Sequence, residues 1–322
     1  MRNYLRLLFA AGAVATLVGS ASALAQDAKT LSIVDDRGVT VKVPAEPKRL
    51  ATISYVGADI ALALGIKPVA TTYMEADREP AYLLGLTKGI AKIGQRAQPN
   101  LELLSKAKPD LIVAIRRYTV GNAAQFQKIA PYLAYNMELL SGSYKEVDEL
   151  SRILGKPERG KQLNEQFKKD VADYAAKAPK GIHPRFAVMY GGDNPFAFHT
   201  ENTAASIVAA LGGDNIAGPT PTGGRFGMNI SLEDLLAKDP EVIFIIDYYP
   251  ERSEQNSPIW PMLSAVKNHR VYYVDDEWAE TNGPIAREMV LREAAHYLYP
   301  DTFPKVDVAA EAAKFIPADL RK

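Results

Sequence analysis

The chain contains no cysteine among its 322 residues. This absence excludes disulfide bonds, thiolate catalysis and metal centres with cysteine ligands. Histidine is scarce as well, and its four residues are scattered along the chain at His183, His199, His269 and His296. Zinc or manganese capture needs several histidines and carboxylates at ligand spacing, which this distribution does not provide. The core must therefore be held together by burial alone.

Neither sign of charge is in excess, because 38 lysines and arginines face 38 aspartates and glutamates. A nucleic-acid-binding protein would need a basic face, so the balance argues against that class. After residue 25, no apolar stretch reaches the roughly 20 residues that a membrane-spanning helix requires. The length suffices for one large or two medium domains.

The first 25 residues have the pattern of a secretory signal peptide. Two arginines precede an apolar run from Leu7 to about Val18, and Ala23-Leu24-Ala25 forms a small-residue cleavage site. We predict cleavage after Ala25, which leaves 36 basic and 38 acidic residues. Because no cysteine follows the leader, we expect no lipid anchor. The expected location is the periplasm of a Gram-negative bacterium.

Two segments repeat the pattern of a short capped helix followed by an apolar strand. They are NLELLSKAKPDLIV at residues 100–113 and SLEDLLAKDPEVIF at residues 231–244, with Asn100 and Ser231 as helix N-caps. A second pair, LALGIKPVA and AALGGDNIA, lies upstream of them in the same order. Because the order of strands and helices is the same in both halves, we predict an α/β fold with two lobes.

The region between the halves has a helical pattern. The segment PERGKQLNEQFKKDVADYAAKA begins at Pro157, a favoured first residue of a helix, and predicts a helix of roughly 30 Å. We interpret it as a helix that crosses between the lobes, and a plain surface helix is the alternative. The predicted organisation is a leader (1–25), an N-terminal lobe (26–142), a helical connection (143–180) and a C-terminal lobe (181–322).

Five stretches carry a family resemblance: DDRGVTVKVPAEPKRLATIS, ADIALALGIKPVA, IGQRAQPNLELLSKAKPDLIVA, FQKIAPYL and WAETNGPIA. Together they resemble the periplasmic substrate-binding proteins of ABC importers for ferric siderophores, haem and cobalamin. The resemblance covers nearly the whole mature chain. It implies two Rossmann-like lobes, one long rigid helix between them, a ligand cleft between the lobes and little hinge closure.

Ligands of open α/β sheets bind beyond the carboxyl ends of the strands, so the residues after each strand are candidates for the site. They are Tyr55, Tyr73, Arg116, Arg117 and Tyr118 in the N-terminal half, and Tyr190, His199, Arg225, Tyr248 and Trp278 in the C-terminal half. Arginine forms bidentate hydrogen bonds to anionic oxygens and stacks on rings. The set therefore suits a large, flat, anionic ligand.

The resemblance assigns an anion-binding role to Arg117, whereas its neighbour Arg116 can face away. The histidine and tyrosine that can complete iron coordination in catecholate-binding relatives have no clear counterpart, since Phe226 and residues near Ala279 stand in their places. His199 is the candidate for a direct bond to iron, although a hydrogen-bonding role is the plainer interpretation. We expect no covalently bound cofactor, with ferric iron present only as a siderophore complex.

A glutamate stands at the same place in both repeated segments, at Glu102 and Glu233. As the second residue of its helix, each carboxylate gains about 0.3–1 kcal/mol from the helix dipole. The resemblance implies a further role, because relatives dock on a two-subunit permease through one exposed glutamate per lobe. The expected partner is an ABC permease dimer with its cytoplasmic ATPase, contacted by a monomeric binding protein.

The predicted function is to capture a ferric siderophore, with carboxylate-rich or mixed donor groups, and to deliver it to an inner-membrane permease. Haem or cobalamin binding within the same class stays open. A secreted hydrolase is the alternative from another class. The segment SAVK at residues 264–267 matches S-x-x-K, but the S-D-N and K-T-G motifs that accompany it are absent. Because no nucleophile–base arrangement is found, we predict that the protein is not an enzyme.

Overall fold

The computed structural model describes residues 30–76, 78–248 and 251–321, and the predicted leader lies outside these ranges. The described chain forms a small hairpin and two six-stranded sheets, one in each half of the sequence. Within the same ranges, no helix is both long enough and apolar enough to cross a membrane.

The N-terminal lobe begins with an antiparallel hairpin whose turn contains Asp36, Arg37 and Gly38. Gly38 has a φ of 76°, a backbone conformation that glycine adopts without a steric cost. The strands of the lobe are β1 (Thr30–Val34), β2 (Thr40–Pro44), β3 (Leu50–Ile53), β4 (Ala70–Tyr73), β5 (Ala91–Gln95), β6 (Gln98–Pro99), β7 (Leu111–Ile115) and β8 (Tyr132–Tyr135). The six-stranded sheet has the order β6-β5-β4-β3-β7-β8, and only the β5–β6 pair is antiparallel.

Helices cover this sheet and connect its strands: α1 (Tyr55–Ala63), α2 (Leu101–Lys106), α3 (Arg116–Thr119) and α4 (Ala123–Gln127), with 3-10 turns at Ala81–Leu83 and Val120–Asn122. Residues that favour helix ends stand at both ends of α1. Ser54 caps its N-terminus, with Oγ accepting a hydrogen bond from the backbone N–H of Gly57 at 3.1 Å. Gly65 follows the C-terminus with a φ of 80°. All nine residues of α1 are buried, so the helix lies inside the fold.

Two helices form the connection, α5 (Leu140–Ile153) and α6 (Pro157–Lys177). The second has 21 residues and begins at Pro157, as the sequence predicts. It packs along α5 on one side. It also contacts two helices of the second half, described below.

The strands of the C-terminal lobe are β9 (Arg185–Tyr190), β10 (Phe196–Phe198), β11 (Asp214–Asn215), β12 (Gly227–Asn229), β13 (Val242–Ile246) and β14 (Val271–Val274). Its helices are α7 (Thr203–Ala210), α8 (Leu232–Lys238), α9 (Ser264–Lys267), α10 (Asp276–Ala279), α11 (Pro284–Leu298) and α12 (Val308–Ala312), with 3-10 turns at Ser253–Asn256 and Trp260–Met262. The sheet has the order β12-β10-β9-β13-β14, with β11 beside β9. The helices that α6 contacts are α7 and α11.

Two short strands were not expected from the sequence. β10 lies in the segment FAFHTEN and β12 in the segment TPTGGRFGMN, and both strands form antiparallel pairs. Each has only three residues, so its alternation is too short to mark a strand. This edge of the sheet carries His199 and Arg225.

One helix belongs to the cores of both lobes. Ile285 and Met289 of α11 pack in the N-terminal core, whereas Val290 and Leu298 pack in the C-terminal core. The chain then returns to the first lobe, because Ala312, Phe315 and Ile316 also lie in the N-terminal core. The end of the chain thus packs against the N-terminal lobe, although the sequence assigned residues 181–322 to the C-terminal lobe. The spacing of apolar residues predicts that a helix is buried, but it does not predict which of the two cores the helix packs in.

Candidate functional site

A cavity of about 220 Å³ lies between the lobes, at the carboxyl ends of their strands. It is lined by Tyr73, Met74, Gln95, Arg96, Ala97, Tyr118, Tyr190 and Tyr248. Tyr73 and Gln95 end two neighbouring parallel strands of the N-terminal sheet, and Tyr190 ends β9 of the other sheet. This is the position at which open α/β sheets bind ligands.

Four of the predicted site residues meet in this cavity: Tyr73, Tyr118, Tyr190 and Tyr248. The first two come from the N-terminal lobe and the last two from the C-terminal lobe. The rings of Tyr190 and Tyr248 pack edge-to-face, with 6.3 Å between their centroids. Four phenol rings give the wall apolar faces and polar edges, which suit a ligand with rings and oxygen atoms.

Arg96 is the cationic side chain of the cavity wall, and the sequence analysis missed it. Its Nη1 lies 2.5 Å from Oε1 of Glu280, which comes from the other lobe. The second oxygen of Glu280 accepts hydrogen bonds from the backbone N–H groups of Tyr55 and Val56, at the N-terminus of α1. Burial lowers the pKa of Arg96, but the Glu280 carboxylate more than offsets this, so the pKa is raised and the side chain stays charged. A signal existed, because Arg96 directly follows the strand β5.

Arg117 lies next to the cavity and forms an ion pair with Glu138. Its guanidinium carbon is 4.6 Å from the ring centroid of Tyr118 and 5.0 Å from that of Phe226. Burial lowers the pKa of Arg117, yet the Glu138 carboxylate outweighs it and the pKa is raised. Since Phe226 belongs to the C-terminal lobe, Arg117 spans the gap between the lobes.

A row of stacked guanidinium groups and rings continues on both sides of Arg117. On one side Arg96 lies 5.7 Å from the Tyr118 ring. On the other side the Phe226 ring is 5.3 Å from Phe196, and the guanidinium of Arg225 lies 5.1 Å from Phe196. The row joins two arginines that were predicted from the sequence to one that was not. Stacking of this kind holds guanidinium groups in fixed orientations.

Arg225 and Arg116 differ in position. Arg225 is exposed, and among the described residues it has no ion pair. Arg116 donates from Nη1 to Oδ1 of Asn136 at 3.4 Å, and it lines neither the cavity nor the row. Arg116 was also a candidate ligand contact, and its side chain stands outside this cavity.

Three predicted contacts need correction, because the side chains are buried away from the cavity. Tyr55 is 1% exposed, and its hydroxyl oxygen accepts a hydrogen bond from the backbone N–H of Met74 at 3.4 Å. Trp278 is also 1% exposed; it stacks on Phe244 at 4.7 Å and donates from Nε1 to Oε2 of Glu293. His199 is 5% exposed.

The ring of His199 is turned towards the backbone behind β10. Its Nδ1 lies 2.9 Å from the carbonyl oxygen of Ala217. A strand end fixes where a residue is, but not which way its side chain points. Among the described residues, no group of three histidine, aspartate or glutamate side chains is arranged to hold a metal ion.

Glu102 and Glu233 occupy matching positions on two exposed helices, one in each lobe. Asn100 caps α2 and Ser231 caps α8, and each glutamate is the second residue of its helix. Glu102 forms an ion pair of 2.6 Å with Lys106, and 76% of its side chain is exposed. Glu233 is exposed as well. The two carboxylates are thus available at the surface.

The two lobes, the cavity between them and the helix along their side define the class of bilobal α/β binding proteins. The chain belongs to the periplasmic binding protein family, whose model matches residues 50–278. The family consists of binding proteins, so the prediction that the chain is not an enzyme is confirmed.

Two relatives and one solved structure each match at least 80% of this chain. The Fe(3+) dicitrate-binding periplasmic protein FecB of Escherichia coli is 28% identical over 267 residues, which cover 80% of this chain and 87% of FecB. The Fe(3+)-citrate-binding protein YfmC of Bacillus subtilis is 26% identical over 294 residues, or 87% of this chain and 89% of YfmC. Among solved structures, the triscatecholate siderophore binding protein FeuA of Bacillus subtilis with ferri-bacillibactin has a TM-score of 0.72 at 20% identity, covering 84% of this chain and 98% of FeuA. The predicted family and α/β class are confirmed.

Proposed function

We propose that the protein is the periplasmic solute-binding component of an ABC importer, and that it captures a ferric siderophore between its lobes. The observation that carries the proposal is the cavity, in which four tyrosines and Arg96 meet. Arg96 is also the end of the row that contains Arg117 and Arg225. Relatives named for binding ferric citrate support the choice of ligand.

The iron enters this site as part of a chelate and not as a resident cofactor. The hydrogen bonds that Arg96 forms with other described residues use Nη1 alone, so its other N–H groups can donate to oxygen atoms of the chelate. Phenol groups of Tyr73 and Tyr248 can donate as well. The protein then recognises the outside of a complex whose metal is saturated by the siderophore.

Fluorescence quenching during titration of the purified protein tests this proposal. The ligands are ferric citrate, a ferric hydroxamate siderophore, a ferric catecholate siderophore, haemin and cobalamin. We expect saturable quenching by at least one ferric chelate, weakened by Arg117→Ala. Saturation by haemin or cobalamin alone would contradict the siderophore assignment, and the absence of binding to every ligand would contradict the function.

We propose further that Glu102 and Glu233 dock the loaded protein on the two subunits of an inner-membrane permease. The matching positions of the two carboxylates support a pseudo-two-fold contact with basic side chains of a symmetric partner. Single exposed ion pairs are weak, so the test needs the double change. Glu102→Arg with Glu233→Arg places like charges face to face and should abolish uptake.

The matched control for docking is Glu158→Arg with Glu165→Arg, which makes the same charge change on the exposed face of α6. Uptake is measured as iron-limited growth at equal expression, with ligand affinity checked by titration. If the docking variant grows like the control, the docking role is wrong and only helix stabilisation remains. In this proposal the protein is a monomer without a lipid anchor.

A further inference from the structure

The arginines of the cleft are already paired with carboxylates. Arg96 pairs with Glu280, whose side chain is 2% exposed, and Arg117 pairs with Glu138, whose side chain is 12% exposed. A guanidinium paired in this way still offers hydrogen-bond donors, but its charge is compensated. Arg96 and Arg117 therefore contribute little net charge to the cavity.

The carboxylate of Glu280 is held in place from behind, and the backbone of Glu138 is anchored to the C-terminal lobe. Glu280 also binds the backbone N–H groups of Tyr55 and Val56, which belong to the buried helix α1. The backbone carbonyl of Glu138 accepts hydrogen bonds from the backbone N–H of Thr203 at 3.0 Å and from its hydroxyl at 3.3 Å. A strongly anionic ligand would thus approach two guanidinium groups that each have a carboxylate directly beside them.

The third arginine of the row is different. Arg225 stacks on Phe196 at the exposed end of the row, and it has no ion pair among the described residues. It therefore offers a single uncompensated positive charge, and it lies where solvent weakens its effect. The balance of the whole row fits a ligand that is neutral or carries one negative charge.

We propose that Glu138 and Glu280 make the cleft select ferric chelates of low net charge, neutral or monoanionic, over highly anionic ones. This inference rests on the proposed function, because it assigns the ligand class of the same cavity. The recognised surface is a chelate with hydroxamate or mixed oxygen donors, whose rings or alkyl arms pack on the four tyrosines and whose oxygen atoms accept hydrogen bonds from Arg96 and Arg117. Glu138 is the specificity-determining residue that can be tested most cleanly, because Glu280 also holds α1.

The test compares two hexadentate ferric chelates, a neutral tris-hydroxamate and a trianionic tris-catecholate. We expect the wild-type protein to bind the tris-hydroxamate more tightly. Glu138→Gln keeps an acceptor for Arg117 but removes the charge, so the affinity for the tris-catecholate relative to that for the tris-hydroxamate should rise about tenfold or more. The control Glu158→Gln removes the same charge from the exposed first turn of α6 and should leave this ratio at the wild-type value.

A second measurement needs only the wild-type protein. An uncompensated cationic cleft would lose affinity for the trianionic chelate as salt is raised, whereas compensated arginines predict a change of less than about threefold between roughly 0.05 and 0.5 M salt. Tighter wild-type binding of the tris-catecholate, an unchanged ratio in Glu138→Gln, or a steep loss with salt would overturn the inference. Binding of neither chelate, nor of ferric citrate, would overturn the proposed function together with it.

Discussion

The carboxyl group of Asp59 joins the two lobes from inside the fold. It lies in α1, is fully buried, and accepts hydrogen bonds from the backbone N–H groups of Ile285 and Ala286 at 2.9 and 2.8 Å. These N–H groups belong to the first turn of α11, where backbone N–H groups have no hydrogen-bond acceptor within the helix. Asp59 thus caps a helix that is distant in sequence and shared by both cores.

This position makes the carboxyl sensitive to pH. Burial raises the pKa of Asp59 from 3.8 to about 7, while the two backbone hydrogen bonds and Arg287 oppose the rise. The native state therefore binds the proton more tightly than the unfolded chain. The contribution to stability is complete below about pH 3.8 and is lost as the pH rises through about 7. At about 1.36 kcal/mol for each pKa unit, the whole loss is about 4 kcal/mol, of which about 3 kcal/mol falls between pH 5 and pH 8.5.

Asp59→Asn removes this titration while keeping one acceptor oxygen. We subtract the free energy of unfolding of wild type from that of the variant at each pH. This difference should be about 3 kcal/mol more favourable to the variant at pH 8.5 than at pH 5. Urea denaturation followed by the fluorescence of the buried Trp260 and Trp278 measures it. Burial also raises the pKa values of Glu288 and Glu293 to about 7, but both proteins contain them, so their effect cancels in the difference.

The same substitution at an exposed helix cap provides the control. Asp307 caps α12 by accepting a hydrogen bond from the N–H of Ala310, and it is exposed to solvent. Asp307→Asn should leave the pH dependence of stability as it is in wild type. If the difference between Asp59→Asn and wild type is the same at both pH values, the reasoning about the buried cap is refuted.

Four further predictions concern the ligand, the fold and the leader. Arg117→Ala and Arg225→Ala should each weaken binding of the ferric chelate by about 1.5–3 kcal/mol, the range for hydrogen bonds to charged groups, and two variants that titrate like wild type would remove them from the site. His199→Ala should weaken binding less, since its ring faces the backbone behind β10; loss of binding with a changed iron spectrum would restore direct ligation. Gly283→Ala should destabilise the fold by at least about 1–3 kcal/mol, because its new Cβ would lie 2.2 Å from the Asp59 carboxyl, and an unchanged urea midpoint would refute this. Mass spectrometry of the periplasmic fraction should give a chain that begins near Gln26, and a retained Met1 or an acylated terminus would contradict the leader.

The elements of the fold could be predicted because their signals are local. Asn100 and Ser231 cap α2 and α8 as expected, with side-chain oxygens that accept backbone N–H groups three residues on. Pro157 begins the long helix and Gly65 ends α1. Caps, glycine turns and apolar runs act within a few residues, so the sequence displays them directly.

The site could be predicted only in part, because side-chain direction and charge pairing depend on distant residues. The partner of Arg96 is Glu280, 184 positions further along the chain, and no local pattern relates them. Tyr55 and Trp278 stand at strand ends as expected, yet the helices α1 and α10 turn their rings into the cores. The sequence therefore located Arg117 without Glu138, the carboxylate that compensates it.

The central claim is that a ferric chelate binds in the cavity between the lobes. A crystal structure of the protein with a bound ferric siderophore, with the iron located by anomalous scattering, tests it most directly. The account predicts one iron site between the lobes, with chelate atoms in contact with Tyr73, Tyr118, Tyr190 and Tyr248 and within hydrogen-bond distance of Arg96. An iron site elsewhere on the protein, or a chelate that touches neither Arg96 nor Arg117, would contradict it.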